Sequence, residues 1–587
     1  MSAFGFYYKT GLGAGYFLTS SFNIEINGIY EYYSSLYNGL KIAVGITYYP
    51  GKRTISVKKP PKKEKVAPPK PQPLTEKPSG IEGLEHISLE NVIFKDIFPV
   101  FFKYYDNNPV GSAVLKNISD RDIRDLKVSL FVKQYMDAPR ECASIPELKA
   151  GEDKQVELSA LFTEKVLEIT ESTKVTAQIL ISYKYSGEKY SGGLAETIRL
   201  YDRNATQWDD NRKAAAFVTA KDPAVLKFSK NIAGLIKGKG SRAVNENLRM
   251  AVGIHEALAL YGMSYVVDPK TPYKDFSKNK QAVDFLQFPR QTLEYRAGDC
   301  DDLSILTCSL MEAVGIETAF ITVPGHIFMA FSLDITPDEA RKRFSRADEL
   351  IFREGKAWIP VEVTMIEGGF LKAWQEGAKE WREAVAREVE GFYPMHEAWK
   401  VYEPVGLPGA TDIALPNRAK VTIAYLEEVT KFIDREIYPQ VAKLQAEIKR
   451  SGGAPNSINR LGVLYARYGL YDRAEREFKK VLSKNGNYVP ALINLGNIHY
   501  LNKDMKGALS YYNKAYTVAP DNPKVLLCVA RANHELENYG SVREAYDKLK
   551  AINPDLAMQF AYLDLRGEEA TRAASMAGVK EVVIWDE

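Results

Sequence analysis

The feature that most narrows what this chain can fold into is an internal repeat near its end. Leu461-Gly462, Leu495-Gly496 and Val529-Ala530 recur at 34-residue spacing. Ala474, Ala508 and Val542 follow in step, then Phe478, Tyr512 and Tyr546, then Gly486, Pro520 and Pro554. A period of this length is that of a two-helix unit, which cannot bury its apolar face alone and must stack on its neighbours. Three units span 455–556. Residues 418–450 supply an amphipathic helix ahead of them, with Val421, Leu426, Val429, Phe432 and Ile437 as its apolar positions.

In period and offsets these units resemble tetratricopeptide repeats. The resemblance implies an α-solenoid whose concave face holds a peptide or partner protein; the alternative is a structural cap on the neighbouring domain. The tail, VKEVVIWDE, reads as a terminal strand.

The opposite end has a different periodicity. Residues 1–50 contain nine Tyr and four Phe. In FNIEINGIYEY, Phe22, Ile24, Ile26, Tyr30 and Tyr32 alternate with Asn23, Glu25, Asn27 and Glu31. LKIAVGITY and GLGAGYFL alternate likewise, around Leu40, Ile42, Val44, Ile46 and Tyr48 and around Leu12, Ala14, Tyr16 and Leu18. Such a segment suits either a transmembrane β-barrel, with an apolar face towards lipid, or an antiparallel sheet with one wet face. It resembles the carboxy-terminal end of a small outer-membrane barrel. Three strands cannot close one, since about eight is the usual minimum. The resemblance therefore implies a chain truncated at its amino end, and an envelope location with periplasmic soluble domains. Without it, the lack of a signal pattern would read as cytoplasm.

With 587 residues, the chain has room for roughly three to five domains. Its net charge of +3 hides a segment, 51–80, with eight Lys, one Arg, two Glu and seven Pro. That segment reads as an extended, solvated linker, and the remainder is slightly acidic, which argues against a nucleic-acid partner. Four cysteines cannot build a disulfide framework. Residues 81–206 read as β: IFPVFFKYY, PVGSAVLKNIS, IRDLKVSLFVKQYM, KQVELSALF, KVTAQILISYKYSGEKYSGG and ETIRLY, a pattern that suggests an immunoglobulin-like sandwich.

The chemical signal lies in 207–415. Asp299, Asp301 and Asp302 suit a helix start. Leu303, Leu306, Leu310 and Val314 recur at helical spacing, and Gly315 fits the helix end. IETAFITV, HIFMAF and WIPVEV follow with strand character. Cys300 therefore falls in a helix's first turn, His326 at the start of a strand and Glu362 on the next. GDCDDLS, PGHIFMAF and WIPVEVT together resemble the transglutaminase-like superfamily, over roughly 210–382. The resemblance implies a papain-like core with Cys300 as nucleophile, His326 as general base and later acid, and Glu362 orienting the imidazole where the superfamily usually has Asp. The expected substrate is a peptide or protein amide, cell-wall peptide among the candidates.

A thiol at a helix N-terminus beside an imidazolium should ionise readily, against the opposing charge of three nearby carboxylates. The expectation is that the imidazolium wins. Cys308 reads as a buried apolar residue, and Trp374 and Trp381 as packing residues or walls of a cleft. No Cys or His spacing calls for zinc or another cofactor. The fold class is thus multidomain α+β: barrel-like strands (1–50), linker (51–80), sandwich (81–206), transglutaminase-like domain (207–415), connecting helix (416–454), repeats (455–556) and tail (557–587). The competing function is a non-catalytic scaffold with a vestigial Cys-His-Glu site.

Overall fold

The computed structural model describes residues 84–267, 282–579 and 582–587, together with the backbone of three strands nearer the start of the chain. These strands, β1 (Tyr7–Thr19), β2 (Phe22–Tyr33) and β3 (Tyr37–Tyr48), form an antiparallel sheet in the order β1-β2-β3. Its register sets Ile24 opposite both Tyr16 and Ile46. Residues 1–79 are a unit of their own, and the linker expected at 51–80 lies outside the described residues.

Seven strands follow: β4 (Ile87–Phe94), β5 (Gly111–Asn117), β6 (Ile123–Phe131), β7 (Arg140–Leu148), β8 (Asp153–Leu158), β9 (Thr173–Tyr185) and β10 (Glu188–Leu200). They divide into a three-stranded sheet, β4-β5-β8, and a four-stranded one, β10-β9-β6-β7. Strict alternation buries Ala113 and Leu115 from the first sheet with Val128, Leu130, Ile179 and Ile181 from the second in one core. Ser186 and Gly187 both take positive φ (50° and 92°), which fits the tight β9–β10 hairpin. IFPVFFKYY is not the expected strand. Pro99 begins a short 3-10 turn and a second covers Tyr104–Asp106, which tucks Phe98, Val100, Phe101 and Tyr105 inward. The alternation of β4 and β7 is weaker, because each carries exposed charges, and neither strand stands out by its pattern.

Next comes a mixed domain. It opens with β11 (Ala205–Gln207), α1 (Pro223–Ile236), α2 (Glu246–Tyr261) and β12 (Ser264–Tyr265). Beyond the gap lie β13 (Val283–Phe285), α3 (Pro289–Tyr295), β14 (Ala297–Gly298) and α4 (Cys300–Glu312). A five-stranded antiparallel sheet then forms from β15 (Thr318–Val323), β16 (His326–Ser332), β17 (Ile351–Arg353), β18 (Lys356–Val361) and β19 (Gly391–Pro394), in the order β17-β18-β16-β15-β19. Helix α5 (Phe370–Ala386) packs on it. Trp374 stacks on Phe432 and Trp381 meets Phe392 edge-on; both rings are buried, so they are packing residues rather than cleft walls.

Helix α6 (Arg418–Arg450) joins this domain to the repeats. Val421, Val429, Phe432 and Ile437 are buried as expected, but Leu426 is exposed. The inward position is Tyr425, and the next residue lies about 100° round the helix. Arg435 anchors the helix through a buried 2.7 Å ion pair with Glu349.

The repeats form three helix pairs: α7 (Pro455–Arg467) with α8 (Tyr471–Lys484), α9 (Val489–Leu501) with α10 (Met505–Val518), and α11 (Pro523–Glu535) with α12 (Tyr539–Ile552). The periodic small and aromatic residues meet within the first two pairs. A Cβ on Gly462 would come within 2.5 Å of the Phe478 ring, and one on Gly496 would collide with the Tyr512 ring. The tail folds first as a helix, Gly567–Met576, and its last residues, Val582–Glu587, are not the expected strand. They lie against the first helices of the repeats, whose side chains satisfy their backbone, so no sheet partner is needed. Among the described residues, no helix is long and apolar enough to cross a membrane.

Candidate functional site

Helix α4 begins where the sequence implies. Asp299 is its N-cap and Cys300 its first residue, while Leu303, Leu306 and Leu310 are buried on the helix. The helix ends at Glu312, two residues short of Val314, and Gly315 follows in the left-handed region at φ 83°. Cys300 is only 5 % exposed. The close fit upstream depends on Gly298, since a Cβ there would lie 2.6 Å from that of Asp302.

His326 opens β16, paired with Val323 across the β15–β16 turn. Glu362 follows directly on β18, and the pairing of Met329 with Val361 brings these two strands side by side. The His326 Nε2 lies 2.6 Å from Glu362 Oε2. The other carboxylate oxygen, Oε1, accepts from the Thr364 backbone N–H at 3.0 Å and from its hydroxyl at 2.5 Å. The Glu362 backbone N–H donates to the Ala373 carbonyl of α5 at 3.0 Å, which fixes the acid between strand and helix. The third member is their neighbour: the His326 ring and the Ile327 backbone both act to lower the Cys300 thiol. Because Nε2 serves Glu362, the nitrogen left for Cys300 is Nδ1. The structure thus brings together Cys300, His326 and Glu362.

Electrostatics depart from expectation at the thiol. Burial raises the Cys300 thiol above its ordinary value; the His326 hydrogen bond opposes this, and the Asp299 charge adds to it. The expected lowering by imidazolium is present but does not win, because a sulfur this buried loses its hydration. Burial alone would lower His326. Its hydrogen bonds with Cys300 and Glu362 overcome that and raise it to about 10. A buried carboxylate at 2.6 Å favours the cationic ring.

The acidic cluster is less negative than three carboxylates suggest. Asp301 and Asp302 are both held well above the ordinary range, by burial first and then by the charge of Asp299. Asp301 and Asp302 each accept one backbone N–H at 2.7 Å, from Asp302 and Gln287 respectively. His326, Glu362 and Glu380 have spacing a cation could accept, as do Asp299, Asp301 and Asp302. Bonds inside the groups already engage His326 with Glu362, and Asp299 and Asp301 with the Asp302 backbone N–H, and we assign neither group to a metal.

Two neighbours were missed in the sequence. Glu380, on α5, sits 3.7 Å from His326 Nε2 and is raised to about 7 by burial and then by the Glu362 charge. Its signal was a charge on the packed face of a helix, one turn on from Gly377, where α5 approaches β18 so closely that a Cβ would lie 3.0 Å from the Glu362 nitrogen. Tyr265 reaches the site through the parallel pairing of β12 with β14, which sets it opposite Gly298. Burial raises its phenol, and the charges of Cys300, Asp299 and Glu362 add to the shift. Sequence distance concealed it. Close by in sequence, the buried Gln291 accepts from the Asn204 side chain at 2.7 Å and from the Phe288 backbone N–H at 2.9 Å. Cys308 is fully buried, and burial raises its thiol further.

Comparison with known proteins bears on the carboxy-terminal region. The tetratricopeptide repeat family model matches residues 489–522, the α9–α10 pair and the turn after it. Among solved structures, a crystal structure of MamA protein is 17 % identical, covering 24 % of this chain and 73 % of that one at a TM-score of 0.19. A tetratricopeptide repeat protein from Parabacteroides merdae is 18 % identical, covering 26 % of this chain and 63 % of that one at a TM-score of 0.21. The chain carries tetratricopeptide repeats at its carboxy-terminal end, a module that generally mediates protein–protein interaction.

Proposed function

We propose that the chain is an envelope-associated, transglutaminase-like cysteine hydrolase or acyltransferase, acting on an amide of a peptide or protein substrate, with the repeats engaging a protein partner. The observation that carries this reading is the convergence of Cys300, His326 and Glu362, with a 2.6 Å His326–Glu362 bond that leaves the other ring nitrogen for sulfur. The His326 imidazole takes the thiol proton, and Glu362 holds the ring in the tautomer able to do so. The sulfur attacks the amide carbonyl, the imidazolium protonates the leaving amine, and water or an amine then attacks the thioester. The Cys300 backbone N–H, at the start of α4, is a candidate donor to the oxyanion.

The envelope assignment rests on the antiparallel aromatic strands β1–β3, and the immunoglobulin-like assignment on the three-and-four division of β4–β10. The burial that raises the Cys300 thiol favours the second reading, a protein-binding scaffold with a vestigial site. Alkylation with iodoacetamide below neutral pH separates the two. Labelling of Cys300 well ahead of Cys308 supports the enzyme, and equal, slow labelling of both supports the scaffold.

A further inference from the structure

The repeats present a polar lining that the chain itself fills. The Asn459 and Asn494 side-chain amides both donate to the Asp586 carbonyl, at 2.8 and 2.7 Å. The Asp586 N–H returns a 2.8 Å bond to Asn494 Oδ1, so one asparagine reads both backbone groups of one residue. Asn497 donates to the Ile584 carbonyl at 2.9 Å, and Arg531 donates to the Val582 carbonyl at 2.5 Å. These contacts recognise an extended backbone whatever its side chains.

Side-chain recognition is added at one end. Lys524 pairs with Asp586 at 2.5 Å, and Arg467 with Glu587 at 2.7 Å. Trp585 packs beside Tyr471, with ring centroids 6.3 Å apart. The three asparagines are at most 1 % exposed with the segment in place. Buried amides of this kind are costly unless bonded, so their position is explained by a peptide in the groove. The segment does not fill the space available. A cavity of about 390 Å³ lies against Val582, Val583 and Trp585, lined by Arg242, Tyr471 and Lys503 among others.

We propose that this groove is a receptor for an extended partner peptide in which apolar residues and an aromatic are followed by two acidic ones, and that Val582–Glu587 is its built-in competitor. The inference rests on the reading of the repeats as a partner-binding surface and is independent of the chemistry at Cys300. Backbone-directed asparagines make the site tolerant of sequence, the Lys524 and Arg467 cations select acid at one end, and the adjoining cavity admits a larger occupant than the tail. A partner must displace the tail, so the tail sets the threshold for binding.

The test uses the full chain and a fluorescent peptide, VVIWDE, read by anisotropy. In the unaltered chain the tail competes at an effective concentration on the order of 1 mM, so a peptide that binds an open groove at about 10–100 μM is weakened roughly 10- to 100-fold. Substituting Trp585→Ala with Asp586→Lys should open the groove and tighten peptide binding by that factor. Adding Asn494→Ala should abolish binding with the circular dichroism unchanged. Should the opened variant not fold, Lys524→Glu alone provides the second arm: it should prefer VVIWKE over VVIWDE. Equal affinity of the unaltered and opened chains for VVIWDE overturns the inference, as does a folded opened chain that binds no peptide, or a Lys524→Glu chain without changed preference. Those failures leave standing the wider reading, that the repeats bind a protein. That reading fails separately if alanine substitutions outside the groove, on α8, α10 and α12, also leave every partner captured by the unaltered chain in place.

Discussion

Replacing Glu362 with Gln removes one charge and almost nothing else. Gln keeps a carbonyl oxygen for Thr364, whose N–H and hydroxyl both donate to Glu362 Oε1, so the turn after β18 retains its bonds. The other position changes from an acceptor to an N–H donor facing His326 Nε2, now 2.6 Å from a carboxylate oxygen. Two donors cannot share that contact. The ring must place its proton on Nδ1, the nitrogen that faces Cys300, where it can no longer accept the thiol proton. A hydrogen bond to a charged group contributes about 1.5–3 kcal/mol, so its loss should slow formation of the reactive sulfur by roughly 10- to 100-fold. The assay is the second-order rate of Cys300 alkylation by iodoacetamide at neutral pH, followed by peptide mass spectrometry with buried Cys308 as the internal reference. A Glu362→Gln chain that folds normally and alkylates Cys300 at the unaltered rate would refute the reasoning.

Three further outcomes follow from the same geometry. Glu380, raised to about 7, should gain its charge as pH rises through neutrality and so favour the His326 cation; Glu380→Gln should remove a rising limb near pH 7 from the alkylation profile, and an unchanged profile contradicts this. Asp301 has a folded-state value raised by burial, so the fold binds its proton more tightly than the unfolded chain does, and that stability is lost as pH rises through the raised value. Asp301→Asn, whose amide oxygen can still accept from the Asp302 N–H, should therefore raise the melting temperature at neutral pH and lose its advantage as pH falls below about 4; an equal difference at every pH opposes the assignment. Gly377→Ala would place a methyl 3.0–3.1 Å from backbone atoms of Glu362 and Pro360, so urea unfolding should show a loss of about 1–3 kcal/mol despite alanine's better helix propensity, and a gain in stability would contradict the close approach of α5.

How legible the chain was in its sequence differs from part to part. The repeats were plain because one physical unit recurs: Gly462 makes room for the Phe478 ring, and Gly496 does the same for Tyr512 one period on. Cys300, His326 and Glu362 could be placed because each lies at the end of a regular element whose period is visible. Glu380 and Tyr265 could not, because helix packing and a two-residue parallel pairing bring them in. IFPVFFKYY misled because a fully apolar run has no period, and Pro99 turned it into 3-10 turns. The tail was misread because its β-like composition serves an extended backbone, whose partners here are asparagine side chains rather than a strand.

The enzymatic reading requires Cys300 to be a nucleophile activated by His326, whose ring Glu362 orients. Incubation with p-nitrophenyl acetate, followed by intact mass and peptide mapping, tests it most directly. A single acetyl group is expected on Cys300, absent from Cys300→Ala and greatly slowed in His326→Ala. No acetylation at Cys300, or acetyl groups scattered over surface lysines at equal rates in all three chains, would contradict it.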